Sequence, residues 1–326
     1  MSTDHTLAGF IPPFYLRSAM LQSFLGSNRP GRRRAGPMIS SARPLIIDTE
    51  GGVRLSGALS LSAAAPARGL MILLHGWEGS IDSSYVTATA QHLFHHGFSI
   101  FRLNFRDHGN SHSLNKGLFY ATLLDEVYQA VMTAARITPG IPVFLCGFSL
   151  GGNFALRIAR KWSLTPPRDI DLKHVIAISP VLDPSKATDA IDNHRIIRRY
   201  FLKKWQRSLE MKQQLFPERY DFTEILALSN IRQMTEKLLR RYSPYPNAAA
   251  YFAGYTLCGR DLEAISIPTT IITSKDDPII PVEDFYHLSA HKHLRLMIHL
   301  YGGHNGFITN WRGRTWYERY LLDVVD

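Results

Sequence analysis

Cysteine is scarce in this 326-residue chain: Cys146 and Cys258 are the only two. Two cysteines do not build the disulfide framework of a small secreted protein, and this pair lacks zinc-ligand spacing, so both are expected to be reduced and buried. No apolar run approaches the roughly 20 residues that cross a bilayer. The first residues lack a basic segment followed by an apolar run, which argues against a secretory signal and makes the cytoplasm the expected location. Despite 14 histidines there is no His-Glu-x-x-His run, and His92, His95 and His96 are expected on a surface helix without a metal. Repeats of fixed period are absent, excluding solenoids and propellers. Neither a metal nor an organic cofactor is expected.

Charge of one sign is in excess. The chain carries 37 Lys and Arg against 27 Asp and Glu, a net +10, which favours anionic partners. The basic residues cluster at Arg29 with Arg32 to Arg34, and from Arg195 to Arg207. Neither cluster sits in a nucleic-acid-binding motif, so no nucleic-acid partner is expected. From His194 to Phe216, Ile197, Phe201, Trp205 and Leu209 recur at every fourth residue while Arg195, Arg199 and Lys203 fall on another face, the pattern of an amphipathic basic helix. The favoured reading is a lid helix with a solvated basic face; the alternative is peripheral contact with an anionic membrane or a lipid-like substrate.

From Leu45 onward, short apolar runs alternate with helical stretches, which predicts βα units and a mostly parallel sheet. Strands are expected near Leu45–Ile47, Val53–Leu59, Leu70–Leu74, Ser99–Leu103, Val143–Cys146, Val175–Ile178, Thr270–Thr273 and Arg295–Leu300. Leu70–Leu74 and Val143–Cys146 are apolar throughout, as central strands covered on both faces should be. The βα rhythm stops between Pro184 and Pro268. The expected organisation is an irregular N-terminal arm over 1–44 packed on the body, a core of 45–183 and 268–326, and a helical lid insertion over 184–267.

The strongest motif is Gly147-Phe148-Ser149-Leu150-Gly151, set between an apolar strand and a helical run. A serine in Gly-x-Ser-x-Gly in that setting stands on a tight strained turn with its hydroxyl clear of the backbone. A serine hydroxyl is a weak nucleophile without a base, so a histidine and a carboxylate must follow. Asp277, in Asp276-Asp277-Pro278-Ile279-Ile280, comes after the seventh expected strand, and His304, in Gly302-Gly303-His304-Asn305-Gly306, comes after the last. The order Ser, Asp, His is that of the α/β-hydrolase fold. Asp277 is preferred to Asp276 because it precedes the proline, and Asp183 is the outside candidate. The oxyanion donors are expected to be the Leu150 and Trp77 amides, the latter from His75-Gly76-Trp77 at the end of Leu70–Leu74. His75 and His108 read as architectural, and Arg106 and Asp107 as a pair that braces neighbouring loops through a salt bridge.

With those residues in place the chain resembles the YheT-like branch of the α/β-hydrolases. The likeness runs through Arg17 to Leu25 with its Leu21-Gln22-Ser23, His75 to Ser80, Gly147 to Asn153, Lys275 to Pro278 and Gly302 to Ile308. It implies carboxylesterase, acylglycerol or phospholipid hydrolase chemistry and places the family's triad on Ser149, Asp277 and His304. Arg106-Asp107 stands where the family tends to have Arg-Gly, and Met234-Thr235-Glu236 replaces an aromatic-acidic lid motif. The expectation is a serine hydrolase that cleaves a small-molecule carboxylic ester, of a lipid or acylglycerol kind, through an acyl-enzyme. Acyl transfer with the same triad and a non-catalytic binding protein on a hydrolase scaffold are the alternatives.

Overall fold

The structure, a computed structural model, describes residues 9–28, 36–64 and 66–325. The eight apolar runs form one sheet: β1 Arg43–Asp48, β2 Arg54–Ser60, β3 Leu70–Leu74, β4 Ser99–Leu103, β5 Val143–Phe148, β6 Leu172–Ile178, β7 Thr269–Ser274 and β8 Leu294–His299. Their order is β1-β2-β4-β3-β5-β6-β7-β8. The β1–β2 and β2–β4 pairs are antiparallel and the other five are parallel. This is the mostly parallel eight-stranded sheet of the α/β-hydrolase fold.

The helices are α1 Ala19–Ser27, α2 Pro37–Ser40, α3 Ser84–His95, α4 Leu124–Arg136, α5 Leu150–Leu164, α6 Pro184–Asn193, α7 Arg195–Leu215, α8 Thr223–Leu226, α9 Ile231–Tyr242, α10 Ala248–Ala253, α11 Glu283–Tyr286 and α12 Trp316–Val325. Side chains of a strand alternate between faces, and β3 shows the consequence. Leu70, Ile72 and Leu74 join a core with Val127 and Val131 of α4 and Phe154 and Ile158 of α5. Met71 and Leu73 join a second core with Val86 and Leu93 of α3 and Tyr317 and Leu321 of α12. Each such aliphatic side chain contributes roughly 1.5–3 kcal/mol by leaving water, which explains why the strand has no polar position.

Helices α6 to α10 lie between β6 and β7, with no strand among them. They are capped from within: Asp183 Oδ1 accepts the Ser185 and Lys186 N–H groups at the start of α6, and the Asp192 carboxylate accepts those of Ile231 and Arg232 at the start of α9. In α7, Ile197, Leu202 and Leu209 are buried while Arg195, Arg199, Lys203 and Arg207 are exposed. Among the described residues no helix is long and apolar enough to cross a membrane.

Three expectations are corrected. The arm is not wholly irregular, because Ser18 caps α1 by accepting the Leu21 N–H. Cys258 is exposed; only Cys146, inside β5, is buried. The helix carrying His92 and His95 is largely buried, with Val86, Ala90 and Leu93 against the sheet and His95 exposed near its end. The arginine cluster Arg29 and Arg32 to Arg34 lies outside the described residues.

Candidate active site

Strand β5 delivers Ser149 into a conformation that L-residues avoid, φ 54° and ψ −116°, at a cost of about 1–3 kcal/mol. Surrounding bonds hold it there: Ser149 N–H donates to Ile178 O at 2.9 Å, and its carbonyl accepts from Asn153 at 3.1 Å and Val181 at 3.3 Å. Both motif glycines are required by space. A Cβ on Gly147 would lie 2.0 Å from Gly151 O, and one on Gly151 would lie 2.5 Å from Leu74 O and His75 O.

The loops after β7 and β8 meet this turn. His304 Nε2 is 3.0 Å from Ser149 Oγ, and His304 Nδ1 is 2.9 Å from Asp277 Oδ2 and 3.2 Å from Oδ1. The Asp277 side chain is fully buried, and its Oδ1 accepts the Ile279 and Ile280 N–H groups at 2.8 and 3.0 Å. A carboxylate so held accepts from Nδ1–H, leaving the Nε2 lone pair for the serine hydroxyl. Asp276 does a different job: its Oδ1 accepts Gly303 N–H at 2.9 Å, bracing the histidine loop. Asp183 is occupied in capping α6.

The two amides expected to face an oxyanion are free of other duties. Neither Trp77 N–H nor Leu150 N–H has an acceptor among the described residues. A Cβ on Gly76 would lie 3.1 Å from Ser149 Cβ, so this backbone passes directly against the serine, and Gly76 N–H is itself taken by Tyr85 Oη at 2.9 Å.

Ser149 stands between two spaces. One is a cavity of about 130 Å³ with apolar walls that include Leu118, Val181, Ile191, Leu238, Phe252 and Ile279. The other is an open groove of about 690 Å³. Trp77, Glu78, Asp107, His108, Phe201 and Ser208 line both and so mark the junction. Helix α7 roofs it: Trp77 stacks on Phe201 with centroids 5.3 Å apart and planes 10° from parallel, and meets Trp205 edge-on at 5.3 Å.

Residues 65–304 match the family described as "Serine aminopeptidase, S33" (Hydrolase_4). A curated relative, "Putative esterase YheT" of Escherichia coli (strain K12), is 22% identical over 277 residues, covering 80% of this chain and 77% of the relative. The chain belongs to this family, as a YheT-like α/β-hydrolase. Among solved structures, the Pyrococcus furiosus esterase Pf2001 is 17% identical at a TM-score of 0.53, covering 87% of this chain and 89% of that one. A 2,6-dihydroxy-pseudo-oxynicotine hydrolase is 17% identical at 0.59, covering 94% and 78%. These likenesses show the fold.

In this YheT-like hydrolase the arm carries residues whose part in the site the sequence reading missed. Ser23 Oγ accepts His304 N–H at 2.8 Å and donates to Ala19 O at 2.7 Å. The fully buried Gln22 side chain accepts Ile308 N–H at 2.7 Å and donates to Leu16 O and Ile308 O. Backbone meets backbone here: a Cβ on Gly303, whose φ is +53°, would lie 2.4 Å from Ala19 O, and one on Gly306 would lie 2.5 Å from Gln22 O. The available signal was a Gln-Ser pair in an otherwise apolar short helix together with a glycine-rich loop around His304. Ser23→Ala leaves the His304 N–H without its partner, so kcat for an ester is expected to fall about tenfold with little change in KM, and Ser23→Thr to restore it. Steady-state kinetics on the two variants check this.

The expected Arg106–Asp107 brace takes another form. Arg106 pairs with Glu126 of α4, whereas Asp107 pairs with Lys212 of α7 at 2.7 Å, both side chains being buried. Lys212 Nζ also donates to Asn115 O at 2.6 Å and His112 O at 3.3 Å, and Asp107 Oδ2 accepts Phe119 N–H at 2.9 Å. The two partners come from different loops and helices, which no local pattern reveals. His75 and His108 are architectural in their contacts: His75 Nε2 accepts Phe105 N–H at 3.2 Å and its Nδ1 bonds Gly76 O at 2.7 Å, while His108 Nδ1 bonds Arg106 O at 2.7 Å. Burial lowers the first to about 4 and the second well below the usual imidazole range, so both are neutral.

Glu78 has a positive φ of 54°. Loss of water around its carboxyl raises the pKa to about 8, against the opposing pull of Lys204 and helped by Asp107. Between about pH 4.5 and 8 the unfolded chain is ionised here while the folded protein holds the proton, so this group's contribution to stability falls as pH rises. Gln does not titrate. The stability of Glu78→Gln relative to the parent is therefore expected to increase from pH 5 to pH 8 by ~1–2 kcal/mol, the shift being discounted for the carboxyl's remaining contact with water. Urea denaturation at the two pH values measures it.

Proposed function

We propose that this serine hydrolase cleaves carboxylic esters through an acyl-enzyme on Ser149. The observation that carries the reading is the continuous relay from Ser149 Oγ through His304 to Asp277, opening at the junction of cavity and groove. Ser149 attacks the ester carbonyl as His304 Nε2 takes its proton, and the Leu150 and Trp77 amides receive the oxyanion. His304 then protonates the leaving alcohol and activates the water that releases the acid. Asp277 holds the imidazole in the required tautomer.

In this reading residues 184–267 form a lid whose α7 closes over the acyl group, the core spans 45–183 and 268–326, and the arm before residue 45 holds the histidine loop. The cavity of about 130 Å³ is close to the ~150 Å³ apolar cavity that accepts benzene, which suits a short or compact acyl chain.

A series of p-nitrophenyl esters from acetate to laurate, assayed with and without added alcohol, tests the proposal. The expected result is a kcat/KM optimum at butyrate or hexanoate with the acid as the main product. An optimum at laurate would overturn the acyl-length reading, transfer to the alcohol with no free acid would overturn hydrolysis, and faster turnover of aminoacyl anilides than of any ester would overturn the choice of ester.

A further inference from the structure

The groove outside Ser149 receives two cations from α7, Lys204 and Arg207. Lys204 Nζ is fixed at 3.0 Å from Glu78 O and lies 4.9 Å from the centre of the Tyr200 ring. Arg207 is exposed and has no acidic partner among the described residues.

Three acids also line the groove, and each is already compensated. Asp107 is consumed by Lys212 and Phe119 N–H. Asp82 is 76% exposed and turned toward the buried Arg102, 3.6 Å away. Glu78, whose carboxyl is raised to about 8 by loss of water, is mostly protonated at neutral pH, and its backbone carbonyl holds Lys204 Nζ. The histidines that face the groove add no negative charge. The charge left facing a bound molecule is therefore positive, and it belongs to Lys204 and Arg207.

We propose that the groove binds an anion, a carboxylate or a phosphate, carried on the alcohol part of the ester. The inference rests on the reading of Ser149 as nucleophile with the acyl group in the cavity, because only then does the leaving alcohol lie in the groove. Charge-assisted hydrogen bonds from a guanidinium and an ammonium are stronger than neutral ones and fall off with added salt. The chemistry is unaltered: the ester bond breaks, water supplies the acid oxygen, and His304 returns the proton to the anionic alcohol.

The test compares butyrate esters of four phenols: 4-hydroxybenzoate, its neutral methyl ester, 4-hydroxyphenyl phosphate and 4-hydroxyphenyl-trimethylammonium, each corrected for its rate in base. The expected kcat/KM for at least one anionic ester is about tenfold or more above the neutral one, with the cationic ester lowest. That ratio is expected to collapse toward one in 0.5 M salt and in a K204Q/R207Q double variant; which anion leads separates carboxylate from phosphate. No preference in the parent, or a preference that survives in the double variant, overturns the proposal. Calorimetric binding of the same esters to S149A separates the two layers of inference. Anion-selective binding without turnover by the parent would keep the groove and overturn the nucleophile; turnover through Ser149 without anion preference would do the reverse.

Discussion

Ser149→Ala is expected to lower kcat for a short acyl ester by on the order of 10⁴–10⁶. The hydroxyl is the atom that forms the covalent bond, and among the described residues no second serine or cysteine side chain hydrogen-bonds His304 Nε2. What survives is the modest acceleration supplied by binding and the oxyanion amides acting on water. His304→Ala is expected to cost about as much, and the double variant no more than either alone, since the residues act as one unit. Asp277→Asn is the more revealing change. The Asp277 oxygen that accepts Ile279 and Ile280 N–H would stay an amide oxygen, which turns the new NH₂ toward His304 Nδ1. The imidazole proton is then forced onto Nε2, where it can no longer accept from the serine, and a loss of about 10³–10⁴ follows. Progress curves for the three variants measure these losses. An S149A rate within tenfold of the parent would contradict the assignment.

The second large effect is on stability. Asp107→Ala removes the carboxylate that, among the described residues, is the only one paired with Lys212, whose side chain is 1% exposed, and leaves an ammonium among two carbonyls and apolar walls. Breaking one side of a buried pair costs about 3–5 kcal/mol, so the denaturation midpoint is expected to fall sharply and α7 to loosen first. Restoring balance by removing both charges should recover most of the loss, because well-packed apolar replacements of a buried pair are often neutral. Asp107→Ala with Lys212→Met is therefore expected to be markedly more stable than Asp107→Ala alone. A double variant less stable than the single one would show that the pair is not what ties α7 to the core.

What could be read from the sequence divides along a physical line. The inner strands were legible because each holds a short apolar run whose character is set by its own burial, with Leu70–Leu74 the plainest case, whereas the edge strand β1 keeps only Ile47 buried and was legible from a shorter apolar stretch. The positions of Ser149, Asp277 and His304 were legible because each follows its own strand in a recognisable local setting, and the fold brings those strand ends together. Helix α1 was not, since its nine residues sit among prolines and glycines and keep Phe24 exposed; it is held by docking on the histidine loop. The partnership of Ser23 with His304 spans 281 positions and that of Asp107 with Lys212 spans 105. Such pairs are products of the completed fold, and a local pattern carries no trace of them. The exposure of Cys258 belongs to the same class, because it depends on where the end of the helical insertion comes to lie.

The central claim, that His304 and Asp277 make the Ser149 hydroxyl a nucleophile, is tested most directly by covalent labelling with a fluorophosphonate followed by peptide mass analysis. The expected result is one equivalent of label on the peptide containing Ser149, with none in H304A although that variant remains folded. An unlabelled parent, or label at another serine, would contradict it.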